Sequence, residues 1–206
     1  GIVGQNTLDN SGLIKSPAGG GAWNFIKKLT ASGDSNLAFV NGASDVVLDS
    51  TYKEYVFSFV DIHPSANQAD FGFNLSIDGG SNYNVTKTST FFLATQSEGA
   101  SASFEYNAGF DSTQSTGEEK IAVDTGHDND ECNAGFLHLY DPASSVFVKH
   151  YMSRFHSYNG YAVVAYADSH FVGGYGNTTS AVNAIRFQWD SGTIDLGSIC
   201  LYGISS

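Results

Sequence analysis

The sequence predicts an all-β protein, built as two antiparallel sheets packed into a β-sandwich, and three observations lead there. Apolar residues recur with a period of two, most clearly between Tyr52 and Phe92, where Tyr55, Phe57 and Phe59 form one aromatic face and Phe71, Phe73, Leu75 and Ile77 another. No helical periodicity lasts three turns. The composition agrees, with 23 Gly, 15 Phe and 11 Tyr but only 15% charged residues, which favours pleated, half-buried segments over helices. With about ten strands, no crossover helices and turns at intervals of roughly 8 to 12 residues, a jelly-roll sandwich is the specific expectation and an open barrel the alternative. At 206 residues one domain with one core is expected, over 23–206, preceded by an extended N-terminal arm over 1–22.

Along the chain, the arm is rich in Gly, Asn and Ser, with Ile2-Val3 and Leu13-Ile14 as its only apolar islands. Strands are expected at Trp23 to Thr30, Asn36 to Val40 and Asp45 to Leu48. The Tyr55 to Phe59 and Phe71 to Ile77 segments read as half-buried strands around a turn at 63–68, where Pro64 restricts His63. Asp78 to Asn82 has the residues of a tight hairpin. Tyr83 to Thr95 reads as a strand with a polar exposed half and an apolar buried half. Residues 96–133 are expected to hold the longest loops, anchored by Phe104, Tyr106, Phe110, Ile121 and Val123. Further strands are expected at Gly135 to Tyr140, Val146 to Ser153, Tyr161 to Ala167 and His170 to Gly174. The last two are Ala181 to Trp189, where the broken alternation suggests a bulge, and Ser198 to Ile204. The expected core comprises Phe57, Phe59, Phe71, Phe73, Leu75, Phe91, Leu137, Leu139, Val163, Ile185, Phe187, Leu201 and Ile204.

A net charge of −12 opposes a surface that tracks phosphates, so nucleic acid is not an expected partner. No apolar run long enough to cross a membrane is present, and no secretion signal opens the chain. A chain that starts at Gly1, with its only methionine at Met152, is expected to have lost an initiator or a longer leader. Cys132 and Cys200 fit neither a metal spacing nor a disulfide framework and read as buried free thiols. The glycosylation patterns at Asn74, Asn84 and Asn177 read as chance in so Asn- and Ser-rich a chain.

Strong catalytic signatures are absent. Asp124, Asp128, Asp130 and Glu131 place four carboxylates in one stretch, the oxygen-rich chemistry that calcium takes, but without the spacing of the twelve-residue calcium loop; a solvated turn between strands is the preferred reading. No other cofactor is expected. His138 and His150 come together if their segments pair as adjacent strands, as a metal site or pH switch. Trp23, Trp189 and the tyrosines offer rings that stack on sugars or simply pack the sandwich.

Three stretches, YKEYVFSFVDIHP with FGFNLSIDGGSNYNVTKTSTFF, HLYDPASSVFVKHYMS, and NTTSAVNAIRFQWDSGTIDLGSICLYGI, together with GAWNFIKKLTASGDSNLAFVNG, resemble a family of small virion proteins of tailed bacteriophages, especially marine ones. The likeness runs from about Gly21 to the end and transfers no catalytic residues. It implies a structural protein of the virion, assembled in the host cytoplasm. On that expectation the protein is a capsid decoration or head-fibre subunit. Ile2, Val3, Leu13 and Ile14 of the arm insert into a neighbouring subunit, the major capsid protein or tail proteins, and self-association, as a trimer, lets several arms engage at once. The alternative is a tail-fibre or receptor-binding domain that recognises a host glycan, and a glycan-active enzyme is a third.

Overall fold

The computed structural model describes residues 22–159 and 165–205, and it shows twelve strands in two antiparallel sheets. They are β1 (Trp23–Thr30), β2 (Leu37–Val40), β3 (Glu54–Pro64), β4 (Ala69–Ser76), β5 (Lys87–Ser97), β6 (Ala102–Tyr106), β7 (Glu119–Thr125), β8 (Asn133–Tyr140), β9 (Lys149–Asn159), β10 (Tyr166–Gly176), β11 (Ala184–Trp189) and β12 (Ile194–Ile204). The larger sheet has the order β1-β12-β3-β8-β9-β10-β5-β6, and the smaller has the order β2-β11-β4-β7. The arm, including Ile2, Val3, Leu13 and Ile14, and the core candidate Val163 lie outside the described residues.

The core fills the space between the sheets, and the aromatic alternation dictates it. Phe57 and Phe59 of β3 point inward from one sheet, Phe71 and Phe73 of β4 with Phe39 of β2 and Phe187 of β11 from the other. Phe187 is the hub: its ring lies 5.2 Å from Phe57, 5.0 Å from Phe59 and 6.3 Å from Phe73. Edge-to-face contacts of this kind add to the burial of large rings. Of the expected core residues among those described, only Ile204 is half-buried; the rest are fully buried.

Several local expectations are corrected. Asp45 to Leu48 is not a strand: left-handed backbone at Gly42, Ser44 and Asp45 turns the chain, and Val46 and Leu48 drop into the core from a loop. The first strand of the central stretch runs through Pro64, so its turn begins only at Ser65. The Asp78 to Asn82 turn joins strands in different sheets instead of closing a hairpin; Gly79 and Gly80 have φ of 71° and 83°, and the Asp78 carboxylate ties the turn to Asn82. Strand β4 is buried along its whole length rather than half-buried, because its polar face is covered as well. There Asn74 donates from Nδ2 to the carbonyls of Thr116 and Gly117, and Lys87 donates from Nζ to Asn74 Oδ1 at 2.6 Å.

Strand β5 does not divide into an exposed polar half and a buried apolar half as expected: Lys87 and Ser89 are buried beside an exposed Thr90, and Phe91 is buried beside a half-buried Phe92. Two strands, β6 and β7, lie within the expected loop region. Strand β9 begins at Lys149, which leaves Val146 and Phe147 exposed before it. Ala165 is outside any strand, and the strand that follows is one continuous element from Tyr166 to Gly176. Strand β11 pairs with both neighbours in unbroken register, so the bulge expected there is absent; register shifts occur instead where β12 meets β3 and in β1.

Candidate functional site

The outer face of the eight-stranded sheet carries the candidate site. In a strand alternate residues share a face, so the inward set Leu137, Tyr151, Phe155 and Val172 leaves Phe136, Met152, Arg154 and Phe171 pointing outward. The register lines these up in two rows. Phe136 opposes Arg154, Arg154 opposes Phe171, Phe171 opposes Phe92, and Phe92 opposes Tyr106. In the second row, two residues along, His138 opposes Met152, Met152 opposes Gly173, and Gly173 opposes Thr90.

A groove of about 540 Å³ opens between these rows, lined by Thr90, Phe92, Phe136, His138, Tyr140, Met152, Arg154, Phe171 and Gly173. Gly173 forms its floor: a Cβ added there would meet nothing within 4 Å. The walls are apolar and open to solvent, with Met152 59% and Phe136 45% exposed. Beyond the groove the apolar surface continues over Phe92, whose ring stacks at 6.1 Å on Phe104, itself 71% exposed. On the other side Trp23 packs edge-on against Phe136 and Tyr202. A contiguous exposed patch of this kind marks a surface that meets something else.

Polar groups within the groove are few and fixed. The Arg154 guanidinium lies 5.3 Å over the Phe171 ring and makes no ion pair among the described residues. His138 Nδ1 and Glu54 Oε1 are 2.6 Å apart, and the His138 ring stacks on Tyr140. His138 therefore meets Glu54 and opposes Met152, while His150 lies two residues farther along the neighbouring strand β9 and packs against Tyr175; the pairing expected of the strands is present, but among the described residues no hydrogen bond joins the two histidines. Trp189 is buried against Phe71 and is unavailable to a ligand, whereas Trp23 is 49% exposed.

The carboxylate stretch is only partly assembled. His127, Asp128 and Glu131 bring their ligand atoms within 4.8 Å of one another, but Asp124 and Asp130 do not join them. Glu131 Oε2 accepts the backbone N–H of Asp128 at 2.8 Å, so its burial is explained by closing this turn. Asp124 sits elsewhere, on β7, where burial first and then the charges of Asp70 and Asp168 push its pKa up. The calcium expectation thus narrows to one carboxylate pair and a histidine, a poor donor set for a hard cation.

Inside the sandwich several polar groups are structural. Tyr151 donates to Glu119 Oε2 at 2.7 Å, and burial lowers the pKa of Lys87 to about 8. His170 is fully buried with both ring nitrogens unpartnered, and burial lowers its pKa to about 3. Both thiols are free, but they are half-buried rather than buried as expected.

Comparisons with family models, with curated proteins and with solved structures give no match to this chain. The aromatic groove is the feature that the sequence did not single out: Phe92, Phe136 and Phe171 carried the same alternating signal as core residues, and only the register shows that they belong to the outer face.

Proposed function

We propose that this chain is a non-catalytic recognition domain of a phage virion, and that the groove on its eight-stranded sheet binds a host-surface glycan. The observation that carries the reading is the row Phe136, Arg154, Phe171 and Phe92 beside an open floor at Gly173. Sugar rings present apolar C–H faces that rest on aromatic rings, while their hydroxyls need a few fixed polar partners such as Arg154, Thr90 and His138. Hydrolysis of a glycosidic bond normally takes two carboxyl groups facing each other across the scissile bond, and the groove is lined by none, so its chemistry favours binding.

The virion setting draws its support from the sequence resemblance, and within it a decoration subunit held by the arm is the companion reading. The nested strand order supports the jelly-roll expectation: β1-β12-β3-β8 and β2-β11-β4-β7 follow the winding of two Greek keys, and β9, β10, β5 and β6 extend one sheet beyond it. Those added strands are the ones that build most of the groove. A glycan array probed with the full chain and with a Phe136→Ala/Phe171→Ala variant tests the reading. Binding to a defined set of glycans, lost in the variant while its unfolding midpoint is kept, is expected. Binding retained by the variant overturns the assignment to this groove.

A further inference from the structure

Resting on that reading, we propose that the groove selects saccharides bearing a carboxylate, with Arg154 as the residue that takes the charge. The chain has 21 acidic and nine basic residues, yet the rows that cross the groove run against that balance. The row through Arg154 extends from Lys28 through Cys200, Ser58 and Phe136 to Phe171, Phe92 and Tyr106, without an acidic residue. The row through Met152 has none from Phe25 to Thr90, and the adjacent row holds His156 between Ala134 and Ser169. Two acids touch the margin, and both are engaged, Glu54 by His138 and Asp111 by the Tyr106 hydroxyl.

Arg154 itself is poised for an anion. The other arginine, Arg186, is paired with Glu118, whereas Arg154 makes no ion pair among the described residues and lies over the Phe171 ring. Its guanidinium sits 5.3 Å over the Phe171 ring on the outer face of the sheet, and the planar N–H fork of an arginine matches the two oxygens of a carboxylate. The planar fork is pre-organised, so less conformational freedom is lost per hydrogen bond on binding than for a lysine. A carboxylate on a sugar ring would meet the fork while the ring rests on the neighbouring apolar wall. One guanidinium flanked by aromatics is too little charge for a nucleic-acid backbone, and it suits a single carboxylate per ring.

The test is isothermal titration of the full chain with three probes: hexameric oligogalacturonate, its carboxyl-reduced neutral counterpart, and sialyllactose, whose carboxylate sits at the anomeric carbon. Binding of either acidic probe about tenfold or more tighter than the neutral one is expected, and which of the two wins identifies the position of the carboxylate. Arg154→Gln should abolish the preference, so that the variant binds acidic and neutral probes with the same affinity, and Arg154→Lys should restore only part of the preference. Equal affinity of the unmodified chain for acidic and neutral probes overturns the charge selection and leaves glycan recognition standing. Binding to none of the probes, with the aromatic face instead buried in a self-associated species on analytical ultracentrifugation, overturns this inference together with the reading beneath it.

Discussion

Phe187 shows how a single side chain organises the interior: it meets rings from both sheets, so removing it leaves a void that neither sheet can close alone. Phe187→Ala is expected to cost about 3 to 5 kcal/mol of stability, measured by urea unfolding. His170 makes a separate prediction about pH. Its folded pKa near 3 lies below the ordinary 6.5, so between those values the unfolded chain takes up a proton that the folded chain refuses. Stability contributed by its neutral state is full above the unfolded value and declines as pH falls, by about 1.4 kcal/mol per unit within the window. Asp168 and Asp124, with raised pKa values, act with the opposite sign, so the comparison must be with His170→Leu. The gap between the unmodified chain and that variant should shift against the unmodified chain from pH 6.5 to pH 4.5; an unchanged gap would show that His170 does not carry the effect.

At the scale of elements, β4 and β7 depend on a close approach. A side chain at Gly72 would place its Cβ 2.7 Å from the Glu119 carbonyl oxygen, backbone that has no flexible end to swing away. Gly72→Ala should therefore destabilise by about 1 to 3 kcal/mol and loosen β7, read as faster amide exchange along that strand. The strands that the sequence displayed best were those with one clean alternation, such as the second half of β8 and the aromatic face of β3. Strand β6 was hidden because it is exposed along its whole length and buries nothing to create a pattern. Lys87 misled for the opposite reason: a charged residue reads as solvent-facing, and its burial is understandable only once Asn74 and the Val85 carbonyl are seen to receive its ammonium.

Across the whole molecule, the period of two identified the sandwich, because it needs no knowledge of which strands pair. The groove needed that knowledge. Phe57 and Phe136 are both aromatic residues in alternating strands, and they differ only in which face the register assigns to them. The same limit applied to the carboxylates, since neighbours in sequence such as Asp128 and Asp130 were separated while Asp124, Asp70 and Asp168 were brought within electrostatic reach. A chain lacking residues 1–21 keeps all twelve described strands and the described core, so it is expected to unfold cooperatively in differential scanning calorimetry. If the arm serves as the attachment device, that truncated chain should also fail to join particles; full incorporation would assign attachment to the globular faces.

The central claim is that the groove floor at Gly173 is a binding surface. It is tested most directly by Gly173→Leu, since the position lies in an extended strand with nothing within 4 Å of an added Cβ, so the substitution fills the groove without disturbing the sheet. The account predicts an unfolding curve that matches the unmodified chain and an affinity for its tightest array glycan reduced by about tenfold or more. Unchanged glycan affinity in a normally folded Gly173→Leu chain would contradict it.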